Sequence, residues 1–183
     1  MANAAADKKL KKAVYEYNYA AMESAVRQGA NPDYKNEDGL HVLTLACWYC
    51  KADLVRALLE KGANVNIGKG APLERTVTTT NGDAREILQL LIDHKVKINT
   101  QYTHQHGASA LAVAIENGQI KIAEMLIAAG ADLKLKDVYG RTPAKIAKEE
   151  GYKKLVQLMQ GDSQKGKGKK PAKAEADPFI EKI

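Results

Sequence analysis

The chain has 183 residues, of which 45% are hydrophobic and 27% charged, and its formal net charge is +6 at pH 7. This length and composition fit one soluble folded domain. No apolar run approaches the ~18–20 residues of a membrane span or resembles the core of a secretory signal. The two cysteines do not make a disulfide framework. We therefore expect a cytoplasmic protein, in its own or a host cytosol.

The positive charge is concentrated at the two ends of the chain. Residues 1–12 carry four Lys and one Asp, and residues 161–183 carry six Lys and four acidic residues. Basic charge on a folded face is typical of nucleic-acid-binding proteins. Because the charge lies mainly on the ends here, this interpretation is weakened.

In chain order, the first predicted helix carries four lysines that would solvate its outer face: Lys8, Lys9, Lys11 and Lys12. Tyr15, Tyr17 and Tyr19 follow at intervals of two. A spacing of two places neighbouring side chains on different sides of a helix, so these tyrosines cannot form a single helical stripe.

A phrase of three residues then recurs along the chain. Gly-Ala-Asn occupies residues 29–31 and 62–64, and Gly-Ala-Asp occupies residues 130–132. The first two copies are 33 residues apart and the third follows after 68, which is two periods plus two residues. Gly39, Gly107 and Gly140 show the same spacing. Two independent markers with one period indicate a repeat protein.

Between these markers the apolar pattern is helical. Residues 111–115 and 120–127 are two apolar stretches, separated by Asn-Gly at 117–118 and ended by Gly130. Apolar residues at i, i+3, i+4 and i+7 indicate a buried helical stripe. A glycine at the end of such a stripe supplies the left-handed conformation that closes a helix. Each unit is therefore predicted to be helix, tight turn, helix and loop.

The chain resembles the ankyrin-repeat family in Gly-Arg-Thr-Pro at 140–143, Glu-Asn-Gly at 116–118 and Leu-Leu-Glu-Lys-Gly-Ala-Asn-Val-Asn at 58–66. The resemblance covers residues 8–160 and implies an all-α solenoid of stacked helix pairs with projecting hairpin loops. The predicted domain spans residues 1–160, followed by a basic flexible tail at 161–183. The five repeats are predicted near residues 6–36, 37–69, 70–104, 105–137 and 138–160.

The third repeat departs from this pattern. Its first helix, predicted near residues 73–80, is rich in Thr, and Lys95 stands where the other repeats have a closing Gly. A left-handed Lys costs about 1 kcal/mol relative to Gly. The loop at residues 100–106 is also two residues longer than its counterparts. This repeat is either the weak point of the stack or the part modified for a partner.

Two motifs suggest other chemistry. Cys47 and Cys50 have the spacing of a redox motif, but they fall at the end of a predicted helix, where the helix dipole does not favour a thiolate. We therefore favour a structural role and predict no enzymatic activity and no cofactor. His104 and His106 provide two of the roughly four ligands of a zinc site. No metal site is predicted.

The resemblance implies that partners dock on a concave face, formed by the loop tips and the ends of the first helices. Trp48 and Tyr49 occupy positions where the family has small or polar residues, and these residue types are common in binding hot spots. The alternative is that Trp48 fills a void beside the third repeat. The predicted partner-binding residues are Tyr15, Glu37, Asp38, Leu40, Trp48, Tyr49, Tyr102, His104, His106, Glu116, Tyr139 and Arg141.

The leading hypothesis is therefore a protein-binding adaptor, inhibitor or effector, monomeric on its own, with another protein as its partner and no membrane contact. The tail offers an alternative function, since its lysines could bind nucleic acid or an acidic partner. The tail also carries three large apolar residues that could dock as a short peptide or be a frayed end. These residues are Phe179, Ile180 and Ile183.

Overall fold

A computed structural model of the chain describes residues 3–79, 82 and 84–165. These residues form ten α-helices, which follow one another as five helix–turn–helix pairs. The pairs are α1 (Ala4–Tyr15) and α2 (Tyr19–Arg27), α3 (Val42–Trp48) and α4 (Ala52–Glu60), α5 (Ile67–Thr78) and α6 (Arg85–Asp93), α7 (Ala110–Glu116) and α8 (Ile120–Ala128), and α9 (Pro143–Glu149) and α10 (Lys153–Lys165). The predicted all-α architecture is confirmed.

The pairs stack side by side. Helices α3, α5, α7 and α9 pack in one row, and α2, α4, α6, α8 and α10 pack in a second row. The core between the rows consists almost entirely of Leu, Ile, Val and Ala. Because alanines let helix backbones approach closely, each short helix buries its stripe against its own partner and against the next pair.

Polar residues at the starts of several helices explain their boundaries. The Asn3 side chain accepts hydrogen bonds from the backbone N–H groups of α1, and Ser109 and Thr142 do the same for α7 and α9. Pro143 at the first position of α9 suits a helix start, where its missing N–H has no helical partner. Local sequence thus determines where these helices begin.

The loops between the pairs project over the first helix of the preceding pair. Glu37 lies 3.6 Å from Lys11 of α1, and Arg141 donates to Glu116 of α7 at 2.5 Å. One loop contains a two-stranded antiparallel ladder of β1 (Gln101–Tyr102) and β2 (Ala108–Ser109), joined through a 3₁₀ turn (Thr103–Gln105). We call the surface formed by the first helices and these loops the inner face.

The structure differs from the predicted boundaries in two places. Helix α5 ends at Thr78 rather than near residue 80, and residues 68–70 form a left-handed turn at its start, with φ of 60°, 58° and 89°. Helix α10 continues to Lys165, beyond the predicted start of the tail at residue 161. A formed helix extends readily because each added residue contributes a hydrogen bond. The rest of the tail, with Phe179, Ile180 and Ile183, lies outside the described residues.

Candidate partner-binding site

Four aromatic side chains form a cluster across the first two repeats. Trp48 ends α3 and stacks on Tyr49, with ring centroids 5.6 Å apart and an interplanar angle of 27°. Tyr49 also contacts Tyr19 at 5.6 Å and Tyr17 at 6.4 Å. All four rings keep solvent-exposed surface. We call this group, made of Tyr17, Tyr19, Trp48 and Tyr49, the aromatic cluster.

Tight turns between the helices of each pair place this cluster. Tyr17 has a left-handed backbone with φ of 51°, and Cys50 has φ of 50°. The equivalent turns of the fourth and fifth repeats use Gly118 and Gly151, with φ of 66° and 77°. A left-handed conformation is strained for a bulky side chain and unstrained for glycine. Tyrosine at this position is therefore more costly than glycine and supplies an exposed ring in return.

Two cations lie on the edges of the cluster. The Arg75 guanidinium is 4.6 Å from the centroid of the Trp48 ring, and Lys51 Nζ is 4.9 Å from that of Tyr19. The Thr79 hydroxyl donates to the Trp48 carbonyl at 2.8 Å, which joins the end of α3 to the third repeat. Trp48 therefore packs against the irregular third repeat and also presents part of its ring at the surface.

The aromatic surroundings change the acidity of one tyrosine in the cluster. Partial burial and the neighbouring phenols of Tyr49 and Tyr17 raise the pKa of Tyr19 above its ordinary value. The Tyr19 hydroxyl therefore remains neutral near pH 7. The cluster offers a partner aromatic faces and hydroxyl groups, with positive charge at its margins.

A cleft of about 510 Å³ adjoins the cluster between α1 and the loop at residues 34–38. Tyr15, Tyr17 and Tyr34 line it, together with Lys8, Lys11 and Lys12. Tyr15 is 83% exposed and Tyr17 52% exposed. Glu37 and Asp38 form part of the opposite wall, where Asn36 donates to Asp38 at 3.3 Å. The structure thus brings Tyr15, Glu37 and Asp38 to one cleft.

Two predicted contact residues are less accessible than expected. Tyr102 is only 3% exposed, so its assignment as a surface contact was wrong. Its place on β1 turns the ring into the core, and burial raises the pKa of its hydroxyl, as does the nearby Glu74 carboxylate. Leu40 is half-buried and packs against the core from the first projecting loop.

His104 lies in the same loop as Tyr102 but remains largely exposed. Its Nε2 contacts a carboxylate oxygen of Glu74, whose side chain is 5% exposed. The pair connects the 3₁₀ turn (Thr103–Gln105) to α5. His104 is therefore a bridge to a buried carboxylate as well as a surface residue.

The predicted residues near the fourth and fifth repeats form a separate polar group. The Tyr139 ring lies 5.3 Å from that of His106, and Arg141 lies over Tyr139 at 5.4 Å. Arg141 also donates to Glu116 at 2.5 Å and to Asp137 at 2.7 Å. These bonds restrict Arg141, whereas Tyr139 is 61% exposed.

Cys47 is fully buried near the end of α3. Burial raises the pKa of the Cys47 thiol to about 12, outweighing its hydrogen bond with Thr76, so its thiolate is disfavoured at neutral pH. Cys47 and Cys50 do not form a disulfide. Within the part of the chain that the structure describes, no group of three His, Cys, Asp or Glu side chains could hold a metal ion.

Four residues of this site escaped the list of predicted contacts. Tyr17 and Tyr19 were not included because helical spacing separated them, but the left-handed turn brings both rings to Tyr49. Arg75 and Lys51 gave no signal beyond their charge, since their contacts cross between repeats. Only the position of Tyr17, where the fourth and fifth repeats have Gly, could have indicated its role.

Comparison with known families accounts for this architecture. A family model for ankyrin repeats in three copies matches residues 10–102, more than half of the chain. The chain belongs to the ankyrin-repeat family. A second model, for ankyrin repeats in many copies, matches residues 91–147. The resemblance inferred from the sequence is thereby confirmed, and the two matches together cover residues 10–147.

Similar proteins differ widely in length. The putative ankyrin repeat protein YahD of Escherichia coli is 25% identical over 146 residues, which cover 77% of this chain and 72% of that protein. Human ankyrin repeat and KH domain-containing protein 1 is 31% identical over 101 residues, 55% of this chain and 4% of that protein. The mouse B-cell lymphoma 3 protein homolog is 29% identical over 146 residues, which cover 78% of this chain and 31% of that protein. This chain therefore spans less than a third of the human and mouse proteins.

Ankyrin repeats are a general protein-interaction module, which is consistent with an exposed inner face. None of the helices in the described ranges is long and apolar enough to cross a membrane. The family does not specify which protein binds or where it docks. Those questions depend on the residues of this chain.

Proposed function

We propose that this chain is a non-enzymatic module, acting as an adaptor, inhibitor or effector, that binds a partner protein through its inner, concave face. The aromatic cluster forms the centre of the contact, with Trp48 and Tyr49 as its anchors. Tyr15 and the neighbouring lysine–tyrosine cleft extend it toward the first helix. His106 and Tyr139 provide a second contact region on the later loops.

The observation that carries this proposal is the exposure of stacked aromatic rings at a strained turn. Tyr17 keeps a left-handed backbone where the fourth and fifth repeats use Gly, and its ring is half-exposed beside Tyr49. Core packing does not account for the Tyr17 ring, because Tyr19 and Tyr49 pack against the core and Tyr17 does not. Large rigid aromatic side chains lose little conformational entropy on binding and dominate the energetics of many interfaces.

The charged residues around the aromatic cluster also support a protein partner. Arg75 and Lys51 flank the cluster, and the cleft carries lysines on one wall and carboxylates on the other. Mixed charge around an aromatic centre is the arrangement of an interface with an apolar core and a polar rim. The proposal includes a cytoplasmic location, where the reducing environment keeps Cys47 and Cys50 as thiols, and a chain that is monomeric without its partner.

The test is affinity capture from native lysate with the wild-type chain and with the double variant Trp48→Ala, Tyr49→Ala. A partner retained by the first and lost by the second would support the proposal. Loss of one anchor ring is expected to weaken binding by about 2 kcal/mol or more. Leu158→Ala, which truncates an exposed apolar side chain on α10 of the second row, is the matched control and should retain the partner.

Stability must be measured in parallel because Trp48 also contacts Arg75. Thermal unfolding followed by circular dichroism separates a loss of binding from a loss of structure. If the double variant captures the same partner with equal affinity, the aromatic cluster is packing rather than contact, and the proposal in this form is wrong. If the double variant loses the partner but also unfolds at a lower temperature, single substitutions of Tyr15 and of Tyr17 take its place, because these two rings are exposed.

A further inference from the structure

We propose that the cleft between α1 and the first projecting loop binds residues 175–181 of the same molecule. These residues read Glu-Ala-Asp-Pro-Phe-Ile-Glu and lie outside the described part of the chain. The proposal rests on the chemistry of the cleft, the chemistry of the segment and the length of chain that joins them. It goes beyond the proposed function because it requires no second protein.

The cleft offers apolar surface with no cover among the described residues. Its volume is about 510 Å³, and three tyrosines line it, of which Tyr15 is 83% exposed and Tyr17 52% exposed. Exposed aromatic surface of this kind is stabilised when a second apolar side chain covers it. Phe179 and Ile180 supply two such side chains next to each other.

The lysines of α1 give the cleft a positive wall. Lys8, Lys11 and Lys12 are separated by three and four residues, so they share one side of the helix. Lys11 lies 3.6 Å from Glu37 and Lys12 lies 3.8 Å from Glu16, both in exposed pairs. No carboxylate of the described residues lies within ion-pair distance of Lys8. Exposed pairs of this kind are weak, so the lysines remain available to other carboxylates.

The charge of the segment complements this wall, whereas Glu37 and Asp38 on the opposite wall repel it, so its carboxylates are expected to face α1. Glu175, Asp177 and Glu181 carry three negative charges, and no Lys or Arg lies between residues 174 and 181. Pro178 favours an extended conformation for the residue before it, which suits a peptide lying in a cleft. The preceding residues 165–173 are basic, so all the acidic residues that follow Lys165 lie in the part proposed to dock.

The connecting chain is long enough to reach the cleft. Fourteen peptide units separate Lys165, the end of α10, from Phe179, and fully extended they span about 46–50 Å. Neighbouring packed helices lie about 8–10 Å apart, so four steps from the fifth repeat to α1 cover about 32–40 Å. The segment can therefore reach the cleft along the inner face in a nearly extended form, without a second copy of the chain.

Nuclear magnetic resonance of the full chain tests the proposal directly. The variant Phe179→Ala leaves the repeats intact and is expected to shift the backbone amide signals of Tyr15, Tyr17, Tyr34 and Asn36. Pro171→Ala, in the same tail but outside the docking segment, is the matched control and should leave those signals unchanged. Spectra at two concentrations an order of magnitude apart should agree, because intramolecular binding does not depend on concentration.

Proteolysis provides a second readout that depends on the lysine wall. Chymotrypsin cleaves after Phe179, and a docked segment is cleaved only while it is open. We expect Lys8→Glu with Lys12→Glu to speed cleavage about tenfold, whereas Lys153→Glu with Lys154→Glu on α10 makes the same charge change and should not. Added salt should speed cleavage of the wild type, since exposed charges are screened over about 10 Å at 0.1 M.

The proposal is overturned if Phe179→Ala leaves the cleft signals unchanged or if cleavage is equally fast in both charge-reversed variants. Signals that change with protein concentration would mean that a second copy occupies the cleft, which also overturns the assignment to the same molecule. None of these measurements uses a partner protein. Failure here therefore leaves the proposed partner-binding function untouched, and failure of partner capture leaves this result untouched.

Discussion

The side-chain carbonyl of Asn66 accepts a hydrogen bond from the backbone N–H of Lys97, 2.8 Å away, and joins the second repeat to the third. The same bond occurs at two other junctions, from Asn64 to Asp33 and from Asp132 to Asn99, each at 2.8 Å. The three acceptors are spaced 33 residues apart, so the repeat period creates a ladder along the projecting loops. Bonds of this kind contribute to the coupling between neighbouring repeats.

We expect Asn66→Ala to reduce the free energy of unfolding by about 1 kcal/mol, the net value of one such hydrogen bond. The alanine leaves the Lys97 N–H without its acceptor but removes no buried side chain. Urea denaturation followed by circular dichroism measures the change. Gln89→Ala, which removes an exposed side-chain bond within α6 at 2.8 Å, is the control and should change stability much less. Equal losses in both variants would contradict a role for Asn66 in coupling the repeats.

Lys95 provides a second test of the third repeat, because its left-handed backbone is now established, with φ of 62°. We expect Lys95→Gly to raise the free energy of unfolding by about 1 kcal/mol, since glycine adopts this conformation without the clash of a side chain. The reciprocal change Gly62→Lys, at φ of 85°, should lower it by a similar amount. An added Cβ at Gly62 meets no atom within 4 Å, so its effect reports backbone strain alone.

The sequence was sufficient for the fold because the repeat signals are local. The Gly-Ala-Asn phrases and their period predicted the helix pairs, and Lys95 was recognised as a strained closing residue because other repeats have Gly there. Each of these features can be recognised within the sequence of a single repeat. The resemblance to the family, which has small or polar residues at these positions, also marked Trp48 and Tyr49 as unusual before any contact was known.

The candidate site was predicted less well because its contacts cross between repeats. Tyr102 was assigned to the surface from its place in a long loop, yet the short β1–β2 ladder turns its ring inward. Ideal helical geometry places the Tyr17 and Tyr19 side chains on different sides, but it does not apply here because Tyr17 lies in a left-handed turn. Arg75 reaches Trp48 from the next repeat. Periodicity carries no information about such side-chain directions.

The contact between His104 and the buried Glu74 carboxylate predicts coupling across the third repeat. We expect His104→Ala to destabilise the chain by about 1–3 kcal/mol, because it leaves a buried polar oxygen without its partner. Glu74→Leu, which replaces the carboxylate by an apolar group, should make the histidine change nearly neutral. A double-mutant cycle measured by urea denaturation gives the coupling. His94→Ala, at the exposed end of α6, is the control, and an additive cycle would contradict the contact.

Asp137 provides a prediction about acid stability. Burial of its carboxylate alone would raise its pKa, but hydrogen bonds from the Arg141 backbone and side chain, the charge of Arg141 and the Tyr139 N–H hold the pKa below its ordinary value. The Asp137 side chain is 0% exposed. The pKa of Asp137 is lower in the folded chain than its unfolded value of about 3.9. At pH values around these two pKa values, the unfolded chain therefore binds more protons than the folded chain. The stabilisation is thus complete above the unfolded pKa and is lost as the pH falls through the folded one.

We therefore expect Asp137→Asn to lower stability at pH 7 and to make the loss of stability between about pH 5 and pH 3 less steep than in the wild type. Urea denaturation at several pH values measures both effects. Asp38→Asn, in an exposed loop, is the control, because it makes the same chemical change at a carboxylate that does not contact Arg141. If the two variants follow parallel curves against pH, the bonds from Arg141 do not stabilise the ionised form of Asp137. Arg141 would then contribute to the last loop through its contacts with Glu116, Glu149 and Tyr139.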